Sequence, residues 1–269
     1  MHLAPLSGRA VLQISGPDRI SYLNGLVSND VTRAAPGTAI WAAMLTAQGR
    51  YFADFFIHSW EATLLLDLPA SLAASVLPKL QRHKLRANVA FADVSGDWHH
   101  YAAWGDAPRS ADIATPDPRL PKAGHRLLSR TPLDITDSAE NYAAHRIALG
   151  LPDGPPDLEP DKTLLLEAGF DELHGIDWQK GCYMGQELTA RTKYRGLVKR
   201  RLIPVSLSEP AAPETPILSE GEAVGTLRSV AGGLALAMLR LDSLAKPLIA
   251  GNALLSIHQP AWLRLAKAG

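Results

Sequence analysis

From residue 201 onward the chain is a series of short apolar runs, "RLIPVSLSE", "AVGTLRSVA", "LALAMLRL" and "NALLSIHQP", each cut off by Gly, Pro or Ser. In succession they predict a small barrel or sandwich. The boundary falls near residue 200, so residues 1–200 form one region and residues 201–269 a C-terminal β-barrel domain.

The N-terminal region has a different pattern. "AVLQIS" is strand-like, Gly16 and Pro17 turn the chain, and Asp18 can cap a helix with Ile20, Leu23 and Val27 on one face. "AIWAAML" and "YFADFFIH" flank Gln48 and Gly49 as the arms of a hairpin, and "ATLLLDL" supplies a third antiparallel strand. Pro69 opens a helix carrying Leu72, Val76 and Leu80, which Pro78 is expected to bend or end early. Strands at "NVAFADVS" and "HHYAAWG" follow, giving an α+β fold with mostly antiparallel sheets. Residues 105–135, rich in Pro, Asp and Gly, are expected to be a surface connection. "SAENYAAHRIALGLP" is a helix ended by Gly150 and Pro152, after which a Pro-rich loop delivers the chain to "TLLLEAGFDELHGIDWQ".

Composition narrows the chemistry. Lys plus Arg and Asp plus Glu are both 27, so no global field draws the chain to nucleic acid or to an acidic membrane. No uncharged apolar stretch approaches the roughly 18 residues of a membrane span, and the opening "MHLAPLSGRAVLQIS" has no basic segment followed by an apolar run. One cysteine cannot close an internal disulfide, so nothing favours an oxidising compartment, and the expected location is cytoplasmic.

That cysteine, Cys182, stands in "KGCYMGQELTARTKYRG", residues 180–196. Gly185 followed by Gln186 and Glu187 reads as a turn into a helix, which places the thiol just before a helix N-terminus. Unpaired backbone N–H groups there, with the cation of Lys180, favour a thiolate: a nucleophilic, oxidisable or metal-seeking sulfur. The alternative is a small buried hydrophobe, which the flanking glycines and charged neighbours argue against. Just downstream, Arg191, Lys193, Arg195, Lys199, Arg200 and Arg201 form a run without an acid, which reads as an anion-attracting segment or as a solvated basic face.

The box Lys180, Gly181, Cys182, Tyr183, Gly185, Gln186 and Glu187, its tail Arg191, Arg195 and Gly196, and the upstream segments "YLNGLVSNDV" and "AMLTAQGRYFADFFI" resemble the YgfZ-type folate-binding proteins. The resemblance implies the fold of the glycine-cleavage T protein, a bound tetrahydrofolate, residues 1–200 built as two intertwined subdomains, and a role in iron-sulfur cluster assembly or repair. It implies Cys182 and Lys180 as the reactive pair. It further implies a folate site of Glu167 from "LLLEAG", as pterin anchor, with Asn29, Tyr183, Gln186, Glu187, Arg191 and Arg195. One carboxylate can accept the paired ring N–H and amino donors of a pterin. On chemistry alone Asn29, like Asp30, reads first as a helix cap or loop brace.

A departure separates the possible activities. Where the T proteins place an acidic pair needed for aminomethyl transfer, "GRYFADFFI" has Ala53 before Asp54. A working aminomethyltransferase is therefore not expected, although a folate-dependent one-carbon transferase is the alternative reading. Clusters of the two-iron and four-iron types take about four protein ligands, usually thiolates. A chain with one cysteine can contact a cluster only through a dimer, a partner scaffold protein or an exogenous thiol, so the cluster would be transient or shared. A cysteine hydrolase would need a base near Cys182, for which His174 is the nearest candidate in sequence.

Overall fold

The structure is a computed structural model that describes residues 2–105 and 110–265. In chain order the first region contains β1 (His2–Pro5), β2 (Arg9–Ser15), α1 (Arg19–Asn24), β3 (Ile40–Leu45), β4 (Tyr51–Trp60), β5 (Thr63–Pro69), α2 (Ala70–His83), β6 (Ala90–Asp93) and β7 (His99–Trp104). It continues with β8 (Ile113–Pro116), β9 (His125–Ser129), α3 (Ala139–Ala148) and α4 (Gln186–Tyr194). The remaining strands are β10 (Arg200–Leu207), β11 (Pro216–Ser219), β12 (Glu222–Ala231), β13 (Leu234–Arg240), β14 (Ile249–Ala250) and β15 (Ala253–Ile257).

The hairpin and third strand form as their patterns require, with β3, β4 and β5 consecutive and antiparallel in a five-stranded sheet ordered β3-β4-β5-β2-β6. Both faces of this sheet are covered, which is why β3 is buried along its whole length rather than in alternation. One face packs Ile14, Met44, Phe55 and Leu66 against Leu23 after the first turn and Leu72, Val76 and Leu80 of α2. The other face carries Trp41, Tyr51 and Phe56 against Leu158, Leu165 and Phe170, with the Trp41 and Phe170 rings stacked at 3.8 Å.

Three local expectations are corrected. Helix α2 runs unbroken through Pro78, because the proline lies on the exposed side where water can satisfy the carbonyl it frees, while the apolar face stays whole. Asp18 does not cap α1 with its side chain; its carboxylate instead accepts the Asn88 backbone N–H, tying this turn to the strand that follows α2.

Residues 105–135 are not simply a surface connection. They hold β8 and β9, which complete a second antiparallel sheet ordered β1-β7-β9-β8, and only residues 106–109 of the segment lie outside the described residues. Polar sequence misled here because the buried positions are ionic. Arg126 of β9 and Arg9 of β2 both grip Asp67 of β5, at 2.9 and 2.8 Å, and Arg119 pairs with Asp117 at 2.7 Å, all nearly inaccessible to solvent. The Arg119 and Arg126 guanidinium groups stand over the Phe56 ring, so this centre joins the two sheets by charge and by cation–π contact. Burial disfavours the ionised carboxylate of Asp67, but Arg9 and Arg126 outweigh it and hold the group well below the usual carboxylate range.

Strands β10 to β15 close into a six-stranded barrel in the order β10-β13-β12-β11-β14-β15, β15 returning to β10. Ile203, Val205, Ile217, Leu227, Ala237 and Leu239 fill it. Helix α3 lies against the barrel through Ile147, beside Leu202 and Met238, and Arg146 reaches Asp157 at 2.7 Å and Ser229 of β12.

Candidate functional site

The segment around Cys182 is a loop of fixed shape leading into α4. Its entry is an Asp turn: the Asp177 carboxylate accepts the backbone N–H groups of Gln179 and Lys180 at 2.7 and 3.0 Å and also pairs with Arg33. The Lys180 ammonium then donates to three main-chain carbonyls, those of Asn24, Val27 and Asn29, at 2.7, 2.6 and 2.8 Å. All three of its N–H groups are thereby engaged, so its first effect is on the position of the loop. Burial pulls this ammonium down to about 8, with Asp30 and Asp177 acting in the opposite direction. The Met184 N–H reaches the Gly25 carbonyl, and Ser28 bridges Gly175 and Ala43 through its hydroxyl.

The exit of the loop is set by close approach of backbones. Gly185 has φ +80°, and a Cβ there would lie 2.6 Å from the Thr46 carbonyl oxygen and 2.8 Å from Leu45 Cβ. Gly49, in the β3–β4 turn with φ +79°, faces it: its own Cβ would meet Leu188 Cβ at 2.6 Å and the Gly185 carbonyl at 2.7 Å. Two glycines distant in sequence thus let the hairpin turn sit on the first turn of α4. Gly181 differs, since a Cβ there would meet nothing within 4 Å. Between these two anchored ends Cys182 is exposed, the only free thiol of the chain.

The expected site residues fall into two groups. Lys180, Tyr183, Gln186 and Asn29 come together. Gln186 accepts the Tyr183 N–H at 3.3 Å, Lys180 stands 5.1 Å from the Tyr183 ring centre, and the Asn29 carbonyl is a Lys180 acceptor. Tyr183 is buried, which pushes its phenol up to about 12, with Thr189 acting slightly the other way. The Asn29 side chain is a brace: its amide donates to the Trp41 and His174 carbonyls, and its oxygen accepts the Asp30 N–H. It also lines a cleft of about 430 Å³ with Arg33, Thr38, Ile40, Pro118 and His174.

Glu167 stands apart from this group. It is buried in a run of turns, and its carboxylate faces the Arg200 guanidinium at 3.2 and 3.3 Å. Those two donors occupy the carboxylate as the paired donors of a pterin would. The contacts are longer than the roughly 2.7–2.9 Å of a tight charge-assisted pair, and the Arg200 side chain is 45% exposed, so it can be displaced. The basic run is partly neutralised within the chain: Lys193 pairs with Asp171, Arg200 with Glu167 and Arg201 with Glu172. Arg191 and Arg195 are exposed, as is Glu187 in the first turn of α4, and none of the three makes an ion pair among the described residues.

Asp54 and Ala53 point to opposite faces of β4. Asp54 accepts the Trp41 indole N–H and the Tyr51 hydroxyl at 2.9 and 2.7 Å, and burial raises its carboxyl above the usual range. Ala53 packs in the apolar core under the helices, where an acid would be buried away from Asp54. His174 is exposed with φ +58°, and its carbonyl is tied to Asn29. The anchors that sequence reasoning missed are Asp177, Ser28 and the carbonyls of residues 24–29. Only Asp177 left a local signal, an acid two and three residues before the N–H groups it accepts.

Residues 3–116 match the family described as the GCVT N-terminal domain, and residues 199–265 match the CAF17 C-terminal beta-barrel domain. The crystal structure of glycine cleavage system aminomethyltransferase T from Bartonella henselae superposes with a TM-score of 0.73 at 12% identity. That match covers 98% of this chain and 87% of the other. This is a glycine-cleavage T protein-like fold with a closed C-terminal barrel.

The mitochondrial iron-sulfur cluster assembly factor IBA57 homolog of Mycosarcoma maydis is 37% identical over 76% of this chain and 57% of its own length. The mitochondrial iron-sulfur cluster assembly factor IBA57 of Mus musculus is 30% identical over 90% and 78%. The chain belongs to the IBA57 family of iron-sulfur cluster assembly factors, and it spans little more than half the length of the first of these relatives. The expectation of a cytoplasmic protein is corrected, because both relatives are named as mitochondrial proteins. A lone cysteine excludes an internal disulfide, and that argument does not separate one reducing compartment from another.

Proposed function

We propose that the chain assists the assembly of iron-sulfur clusters by offering Cys182 as a single soft ligand to a protein that carries the remaining ligands. The observation that carries this reading is an exposed thiol on a loop pinned at both ends. Three carbonyls hold Lys180 before it, and the Gly49–Gly185 approach fixes the chain after it. A ligand held in place before contact loses less conformational freedom on binding, which suits a transient exchange. Family membership supports the cluster as cargo, and one cysteine makes sharing obligatory.

The fold likeness supports a reduced folate as a second ligand. Its pterin donors would take the place of the Arg200 guanidinium on Glu167, and the acidic tail would find the exposed Arg191 and Arg195. When bound, folate supplies a reduced pterin; the residues named here bind and orient it.

In cells lacking the endogenous protein, Cys182→Ser is expected to accumulate and unfold like the wild type, yet leave cluster-dependent enzymes inactive. Full rescue of such an enzyme by Cys182→Ser refutes the thiol's role. For the folate, calorimetry with tetrahydrofolate is expected to show saturable binding, weakened at least about tenfold in Glu167→Ala, as loss of a charge-assisted pair implies. Absence of saturable binding removes the folate part of the reading alone.

A further inference from the structure

Two residues beyond Cys182, Met184 is half-buried at the edge of a cleft of about 450 Å³ between α2 and the β3–β4 hairpin. The floor is apolar, from Phe52, Pro78 and Met184, and the rim carries the cations of Lys79 and Arg82 with the His83 ring beside them. The volume is that of a site able to take a few side chains. Lys79 lies 3.9 Å from the centre of the Phe52 ring, its ammonium partly stripped of water. From residue 79 to residue 86 the chain reads "KLQRHKLR", five basic residues and no acid, in a protein whose net charge is zero. Arg82, Lys84 and Arg86 make no ion pair among the described residues, and Asp161 is the acid acting on Lys79.

A helix C-terminus by itself accounts for a basic residue or two in its last turn. It does not account for Phe52 and Met184 left partly open beneath such residues, nor for Leu85, which is 89% exposed two positions after His83. Pro78 belongs to the same surface. The helix forgoes a backbone hydrogen bond there, and the ring contributes rigid apolar floor. Met184 makes the cleft continuous with the loop that carries the thiol.

We propose that this cleft docks an acidic segment of the protein to which Cys182 is presented. An apolar side chain of that segment enters over Phe52 and Met184, and its carboxylates meet Lys79, Arg82 and His83. The inference rests on the reading of Cys182 as a thiol offered to a partner, and it adds where that partner holds on. Apolar contact supplies the anchor, while the cations at the rim orient the encounter and exclude basic surfaces.

The test uses a fluorescein-labelled helical peptide with leucine on one face and glutamate on the other, titrated with the whole protein at low salt and followed by anisotropy. Saturable binding is expected. It should weaken at least about fivefold in the double variant Lys79→Glu with Arg82→Glu, and to a similar extent when serine replaces the peptide's leucines. Cys182→Ser should bind the peptide as the wild type does, so a failure of docking and a failure of the thiol's role are separately visible. Circular dichroism and urea unfolding check that the variants, altered at half-buried Lys79 and exposed Arg82, are folded. No saturable binding, equal binding by the charge-reversed variant, or equal binding of the leucine-free peptide each overturns the proposal. So does binding to phosphatidylserine vesicles, lost in the double variant, without peptide binding; that outcome assigns the cleft to a membrane surface.

Discussion

Replacing Gly185 by Ala tests the frame around the thiol most directly, because the structure gives both contributions to its cost. The residue sits at φ +80°, where an L side chain costs about 1–2 kcal/mol. The new Cβ would lie 2.6 Å from the Thr46 carbonyl oxygen and 2.8 Å from Leu45 Cβ, and overpacking of this kind costs about 1–3 kcal/mol. The sum is about 2–5 kcal/mol, with the hairpin turn and the first turn of α4 forced apart. Gly181 is the internal control: its Cβ would meet nothing within 4 Å and its φ is not positive, so Gly181→Ala should stay within about 0.5 kcal/mol of the wild type. Urea unfolding followed by tryptophan fluorescence measures both. If Gly185→Ala also lies within 0.5 kcal/mol, or if Gly181→Ala costs as much, the argument that backbone approach fixes this loop is refuted.

Lys180→Met keeps the length of the side chain but leaves three carbonyls without their donor. In a half-buried setting that should cost about 2–4 kcal/mol and raise amide exchange across residues 24–29 and 177–185, whereas unchanged exchange would show that the clamp is dispensable. Asp67→Asn strands Arg126 as a buried cation and leaves Arg9 with Asp153 alone, and should lower stability by about 3–5 kcal/mol in the same assay; a neutral result would mean that water reaches this centre. His58 is pulled down to about 4, first by burial and then by Arg126, His100 and Arg9, with Asp67 acting the other way. The unfolded chain takes up this proton near pH 6.5 and the folded chain only near 4, so stability is full above 6.5 and falls as the pH drops between the two. The loss from this group is about 2.5 kcal/mol at pH 4.5, and His58→Asn should remove that part of the acid limb in urea titrations at pH 7 and 4.5.

The sequence by itself determined those parts whose causes lie within a few residues of each other. The runs after residue 200 read as strands because Gly, Pro and Ser separate them at short intervals, and they close into the barrel. The "AIWAAML", "YFADFFIH" and "ATLLLDL" strands pair in sequence order because tight turns join them. The glycine and glutamine after Cys182 marked the start of α4 for the same reason.

The rest was decided by partners far along the chain. Strand β7 leaves the first sheet to pair with β1, nearly a hundred residues before it, and no local pattern encodes that choice. Residues 105–135 looked like solvent-facing loop because their composition is polar. Arg126 and Arg119 are buried nonetheless, since Asp67 and Asp117 supply the opposite charge and Phe56 a ring face inside the protein. Lys180, placed by sequence beside the thiol, is claimed by carbonyls more than 150 residues upstream, and Gly49 and Gly185 need to be glycines only once the hairpin turn rests on α4. Propensity and periodicity act over one or two turns of chain. Which charges cancel and which backbones touch is set only when the sheets close on one another.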